Sequence, residues 1–177
     1  MTASIVKSVS ITNMIAKPIV VEDRKRGDSK VVIDKIAVAT TSIDEVGDKI
    51  FLCAVPSNAI IHSIMLYNDD LDSHGTPTLA ADVGLYYSGI GSGQDGLADT
   101  VIDADCFATA ITSLQAAVVI PSEVRFEVDD IVDIVKEAWE AGGLSTDPGG
   151  LFYIALTLTA VSATPAAGDI VIKVQYI

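Results

Sequence analysis

Phe152-Tyr153-Ile154-Ala155-Leu156-Thr157-Leu158-Thr159 alternates large apolar side chains with smaller or more polar ones. Successive side chains of a strand point to opposite faces, so Phe152, Ile154, Leu156 and Leu158 are assigned to a core. The same rhythm recurs on either side. Ile170, Ile172, Val174 and Tyr176 alternate with Val171, Lys173 and Gln175. Ala81, Val83, Leu85 and Tyr87 alternate with Asp82, Gly84 and Tyr86, and Val124, Phe126 and Val128 with Glu123, Arg125 and Glu127. The pattern that starts at Ile170 runs to Tyr176-Ile177, which places these residues in the core sheet.

Two runs are apolar on both faces, Ile50 to Val55 and Ala59 to Tyr67. They read as mid-sheet strands with a second face covered by loops or a neighbouring subunit. Pro56-Ser57-Asn58 between them reads as the turn of a hairpin. Pro165-Ala166-Ala167-Gly168 similarly reads as a turn joining the last two strands as an antiparallel pair. Val31 to Ala39 and Ile5 to Ile11 are weaker strand patterns.

One helix is expected at about 130–141, with Ile131, Ile134, Val135 and Ala138 as its stripe and Trp139 at the border. Asp129 or Asp130 would cap its start, and Gly142-Gly143 would stop it. A short helical turn is also compatible with Asp103 to Ala108. Strands at hairpin spacing with one helix predict an all-β protein, an antiparallel β-sandwich of jelly-roll type.

Composition sets the limits. A chain of 177 residues fits one domain and buries enough surface to fold without disulfides or metals. No apolar run reaches the roughly 18 residues of a membrane helix, and the start lacks a signal-peptide pattern. The chain is expected to stay in the compartment where it is made. Cys53 and Cys106 match no zinc or redox spacing and read as reduced, buried side chains.

Charge divides the chain. Residues 1–35 carry seven bases and four acids, net +3, and the remainder carries four bases and 20 acids, net −16. An acidic body disfavours nucleic acid. Residues 1–35 therefore read as a basic arm or extension, with Lys17, Arg24, Lys25 and Arg26 as candidates to contact an acidic surface, and residues 36–177 as the sandwich.

No motif for chemistry survives inspection. Gly91-Ser92-Gly93-Gln94-Asp95-Gly96 spells a dinucleotide fingerprint, but Asp95, Asp99, Asp103 and Asp105 would repel a pyrophosphate, so it reads as a flexible surface loop. The same loop partly resembles a calcium nonapeptide repeat, yet occurs once. Asp69, Asp70 and Asp72 form an oxygen-rich loop without EF-hand spacing. His62 sits in an apolar strand, and the adjacent Asp72-Ser73-His74 cannot point at one another as a triad. Arg26-Gly27-Asp28 is a tripeptide common by chance. The chain reads as non-enzymatic, with no cofactor.

The layout of the C-terminal half is familiar. Trp139-Glu140, Gly143-Leu144-Ser145 and Asp147-Pro148-Gly149-Gly150 lead into Phe152 to Thr157. An Ala167-Gly168 turn then opens a last strand ending Val174-Gln175-Tyr176-Ile177. Asp82 to Tyr86, Val101 to Phe107, and the run from Phe51 through Ser63-Ile64-Met65-Leu66-Tyr67 fit the same plan. Over about residues 36–177 this resembles the small virion proteins of tailed bacteriophages that decorate or cement heads. The resemblance implies a β-sandwich or jelly roll made in the host cytoplasm and placed on the outer capsid surface of the virion, the major capsid protein as partner, a homotrimer, and no catalytic residues. A subunit interface would draw on Ile61, Met65 and Tyr67, or on the opposite face with Ile60 and Ile64. The alternative is a glycan- or receptor-binding module of a head or tail fibre, which needs an aromatic platform from Tyr67, Tyr86, Tyr87 and Trp139.

Overall fold

The computed structural model describes residues 28–91 and 93–177. The described residues form eight strands: β1 (Lys30–Val38), β2 (Lys49–Pro56), β3 (Ile61–Asn68), β4 (Ala80–Tyr87), β5 (Val101–Ile111), β6 (Val118–Glu123), β7 (Leu151–Ala160) and β8 (Gly168–Tyr176). They make two four-stranded sheets, β1-β8-β3-β6 and β2-β7-β4-β5. Every pairing is antiparallel, and strands mirrored in chain order meet: β1 with β8, β2 with β7, β3 with β6, β4 with β5. That wrapping is the jelly roll expected from the period-two pattern.

The core lies between the sheets. Ile170, Ile172 and Val174 of β8 and Ile64 and Leu66 of β3 face Phe152, Ile154, Leu156 and Leu158 of β7 and Val83 and Leu85 of β4, all essentially buried. Each such side chain stabilises the fold by about 1.5–3 kcal/mol through removal from water. The faces read from alternation in β4, β7 and β8 are those observed.

Several connections differ from expectation. The Pro56-Ser57-Asn58 turn and the Pro165–Gly168 turn each carry the chain from one sheet to the other, so β2 does not pair with β3, nor β7 with β8. A jelly roll crosses between sheets at these turns, and a turn signal alone specifies reversal without choosing the sheet. β2 is accordingly an edge strand rather than a mid-sheet one. Its outer face is covered by aromatic packing, with Phe51 lying 5.5 Å from Tyr86 and 5.3 Å from Tyr153, centroid to centroid. Asp103 to Ala108 belongs to β5 and is not helical.

The strand read at 123–128 ends at Glu123. Beyond it Arg125 turns inward, contrary to its assigned solvent face. The helix expected at 130–141 is two pieces, a 3-10 segment Ile131–Val135 and α1 (Ala138–Ala141). Lys136 and Glu137 between them are extended because the turn after β2 captures the backbone. The Ala138 and Trp139 N–H groups donate to Ala59 O (2.8 Å) and Ser57 O (3.0 Å) instead of to the preceding helical turn. Gly142 and Gly143 do follow the last helical residue.

β1 crosses the boundary drawn at residue 35, pairing with β8 from Lys30 onward. The Ile5 to Ile11 pattern, Lys17, Arg24, Lys25, Arg26 and the first two residues of the Arg26-Gly27-Asp28 tripeptide lie outside the described residues.

Candidate interaction surfaces

The loops that looked chemical are stitched to the fold. Gln94 is fully buried. Its Oε1 accepts from the Ser88 and Gly89 N–H groups (3.1 and 3.2 Å), and its Nε2 donates to Gly149 O (2.7 Å). A Cβ at Gly91 would come 2.7 Å from Gly150 Cα, and one at Gly93 would come 2.3 Å from Pro148 O. These glycines let the loop lie against the Asp147–Gly150 turn. That close approach accounts for the fingerprint-like spacing, and the loop read as flexible is pinned at its centre.

At the other end, Asp72 is buried and accepts backbone N–H groups from Thr78 (2.8 Å), Leu79 (3.1 Å), Ala163 (3.0 Å), Thr164 (3.0 Å) and His74 (3.4 Å). Burial alone would push its carboxyl up. The backbone donors of Thr164, Thr78, Ala163 and Leu79 outweigh it and hold the group well below the usual carboxylate range. Asp69 and Asp70 also accept backbone N–H groups, from Asp169 and Asp72. The acidic loop thus ties two connections together, its own between β3 and β4 and the one between β7 and β8. Among the described residues no three His, Cys, Asp or Glu side chains group to hold a metal ion.

Arg125 is the buried cation that alternation missed. Its Nε donates to Ile61 O (3.2 Å), its guanidinium pairs with Asp129, and it stacks 5.0 Å from the Phe107 ring centre and 4.9 Å from that of Phe126. The flanking aromatic residue Phe126 and the acid four residues on were the available signals. Cys53 and Cys106 are free and buried. Burial, then the charge of Asp34, pushes the Cys53 thiol up to about 12, so it is not a thiolate nucleophile at neutral pH.

His62 on β3 and His74, whose Nδ1 accepts from the Thr76 N–H (3.1 Å), lie in separate parts of the molecule. Neither lines the cleft of about 250 Å³ bounded by Lys30, Glu137 and Tyr176. Among the described residues no helix is long and apolar enough to cross a membrane.

The interface candidates separate. A bulge between Ile61 and Ser63 shifts the phase of β3, so Ile61 joins Ile64 and Leu66 in the core at 1% exposure. Met65 and Tyr67 stand half-buried on the outer face of the β1-β8-β3-β6 sheet. Their row continues through Lys173 to Ile33, which is 67% exposed. The aromatic platform does not assemble. Tyr87 turns inward against Phe152 (5.8 Å), and Tyr86 is buried with its hydroxyl 2.6 Å from Thr157 Oγ1. Tyr67 is on the other sheet.

No protein-family model and no curated protein matches the sequence. Among solved structures, a chain of the capsid of Ralstonia phage GP4 matches with a TM-score of 0.60 and 25% identity, over 85% of this chain and 84% of that one. The fold is one found in phage capsids. A chain of the cyanophage Pam1 capsid asymmetric unit shares it, with a TM-score of 0.56 and 21% identity over 85% of this chain and 84% of that one. The phage-virion resemblance read from the sequence and these capsid neighbours agree.

Proposed function

We infer that the protein is a structural component of a phage virion that binds the outside of the head as a decoration or cement protein, with the major capsid protein as its partner. The observation that carries this reading is the match to a chain of the Ralstonia phage GP4 capsid, which covers 85% of this chain at 25% identity. The internal chemistry supports it. The unusual polar groups, Asp72, Gln94 and Arg125, are spent on holding loops and strand ends together, as a rigid building block requires. The role is structural rather than catalytic.

In this reading Met65 and Tyr67 contribute to contacts between subunits of a homotrimer. Lys17, Arg24, Lys25 and Arg26 lead the chain to an acidic capsid surface. Mass spectrometry of purified virions, joined to a map of the head, tests the proposal. Stoichiometric copies on the outer lattice are expected, and absence from the particle would overturn it. Deleting residues 1–27, which spares β1, is expected to leave a folded protein that no longer binds capsids. Undiminished binding would remove the arm from the reading.

A further inference from the structure

Among the described residues four strands form sheet edges: β1, β6, β2 and β5. An edge strand leaves alternate backbone N–H and C=O groups unpaired, a template for another chain unless it is blocked. Three of the four are blocked. β6 is six residues long, contains Pro121 and slips register against β3. β5 slips register repeatedly against β4, carries Asp103 and Asp105, and turns through a positive φ at Ala110. β2 has a bulge between Phe51 and Cys53 and ends at Pro56.

β1 is different. It runs nine residues in unbroken register with β8, without proline or bulge. The Lys35 N–H bonds the Asp34 carboxylate (2.8 Å) rather than β8, so residues of its parity, Val31, Ile33 and Ala37, turn their backbone groups to the open edge. Val31 and Ile33 are 50% and 67% exposed.

We propose that β1 is a self-association edge, pairing antiparallel with β1 of a second copy across a two-fold axis so that the two sheets become continuous. The sequence of the edge selects the occupant. With Val32 opposite its own copy, Val31 and Ile33 of each copy exchange backbone hydrogen bonds and stack their exposed side chains on one face. On the other face each Lys30 stands opposite the partner's Asp34, in the closely spaced, non-hydrogen-bonded type of pair. One residue type complements the other twice by symmetry. This matters in a chain of net charge −13, whose copies otherwise repel. The contact is two-fold, so it is separate from a three-fold ring and can coexist with one. It does not depend on what the protein decorates.

The full-length protein tests this in two ways. Val32→Cys is expected to form a covalent dimer under mild oxidation, because facing residues in such a pair lie at disulfide distance. Asp34→Cys, which faces Lys30 instead, is expected to stay monomeric on a denaturing gel, and the buried Cys53 and Cys106 do not compete. Lys30→Glu and Asp34→Lys, each alone, are expected to weaken concentration-dependent association in sedimentation by about tenfold. Mixing the two variants is expected to restore it, since every pair is then opposite in sign. Equal cross-linking at positions 32 and 34, no cross-linking at 32, or no recovery on mixing would each overturn the proposal. Absence of cross-linking at 32 and of recovery on mixing is also the result expected if the edge is covered by residues 5–11 or by an extended segment of another protein.

Discussion

Asp72 is a carboxylate surrounded by backbone donors, and its substitution separates charge from shape. Asp72→Asn keeps the size but turns an NH₂ group toward N–H groups of Thr78, Leu79, Ala163 or Thr164. The expected loss is about 2 kcal/mol in urea unfolding. The pH dependence follows from the lowered carboxyl. A group held below its unfolded value of about 3.9 contributes stability that is complete above that value and is lost progressively as pH falls from there through the lower folded value. The wild-type protein should therefore lose stability on acidification below about pH 4, and the Asn variant should lose less over the same window. Arg125 presents the opposite charge. Arg125→Ala would leave Asp129 without its cation and open a gap between Phe107 and Phe126. A cost of about 3 kcal/mol is expected from thermal unfolding.

At the scale of elements, the two loops at the Gln94 end stand or fall together. Gly150 has φ +83°, and a Cβ there would lie 1.9 Å from Ile90 O. Gly150→Ala should cost on the order of 2–3 kcal/mol. Hydrogen exchange should show faster opening of residues 88–97 as the clamp loosens. What could be read of these elements beforehand depended on how many faces each one buries. β7 and β8 are legible because their large aliphatic side chains, Ile154 to Leu158 and Ile170 to Val174, fall on one face, with smaller or more polar residues such as Ala155, Thr157 and Lys173 on the other. β2 was misplaced because Phe51 is covered by Tyr86 and Tyr153, which makes an edge look like a centre. The bulge at Ile61 hides in the sequence, since Ile60, Ile61 and Ile64 are equally apolar in either phase. The 130–141 segment has a helical stripe, but the carbonyls of Ser57 and Ala59, far away in sequence, take the N–H groups a helix would use. Alternation and charge both assign Arg125 to solvent, and its contacts with Phe107, Phe126 and Asp129 bury it instead.

For the molecule as a whole, charge is the organising quantity. The described body is acidic, with Lys35 paired to Asp169, Lys136 to Asp133 and Arg125 to Asp129, while Lys17, Arg24, Lys25 and Arg26 precede it. If those bases carry recognition, association with capsids should slow as salt rises from about 50 to 200 mM while the dissociation rate changes little. Rates insensitive to salt would instead point to the apolar outer face around Met65 and Tyr67.

The mirrored order of pairing also sets a timetable for synthesis. β4 and β5 are neighbours along the chain and can join early. β1 must wait for β8, whose last paired residue, Tyr176, meets Lys30. Contacts between such distant residues are slow to form. Until β8 has been translated, β1 lacks the strand it pairs with in the described structure. Pulse-labelled amides should gain protection from the β4–β5 hairpin outward, and β1 should be the last segment shielded.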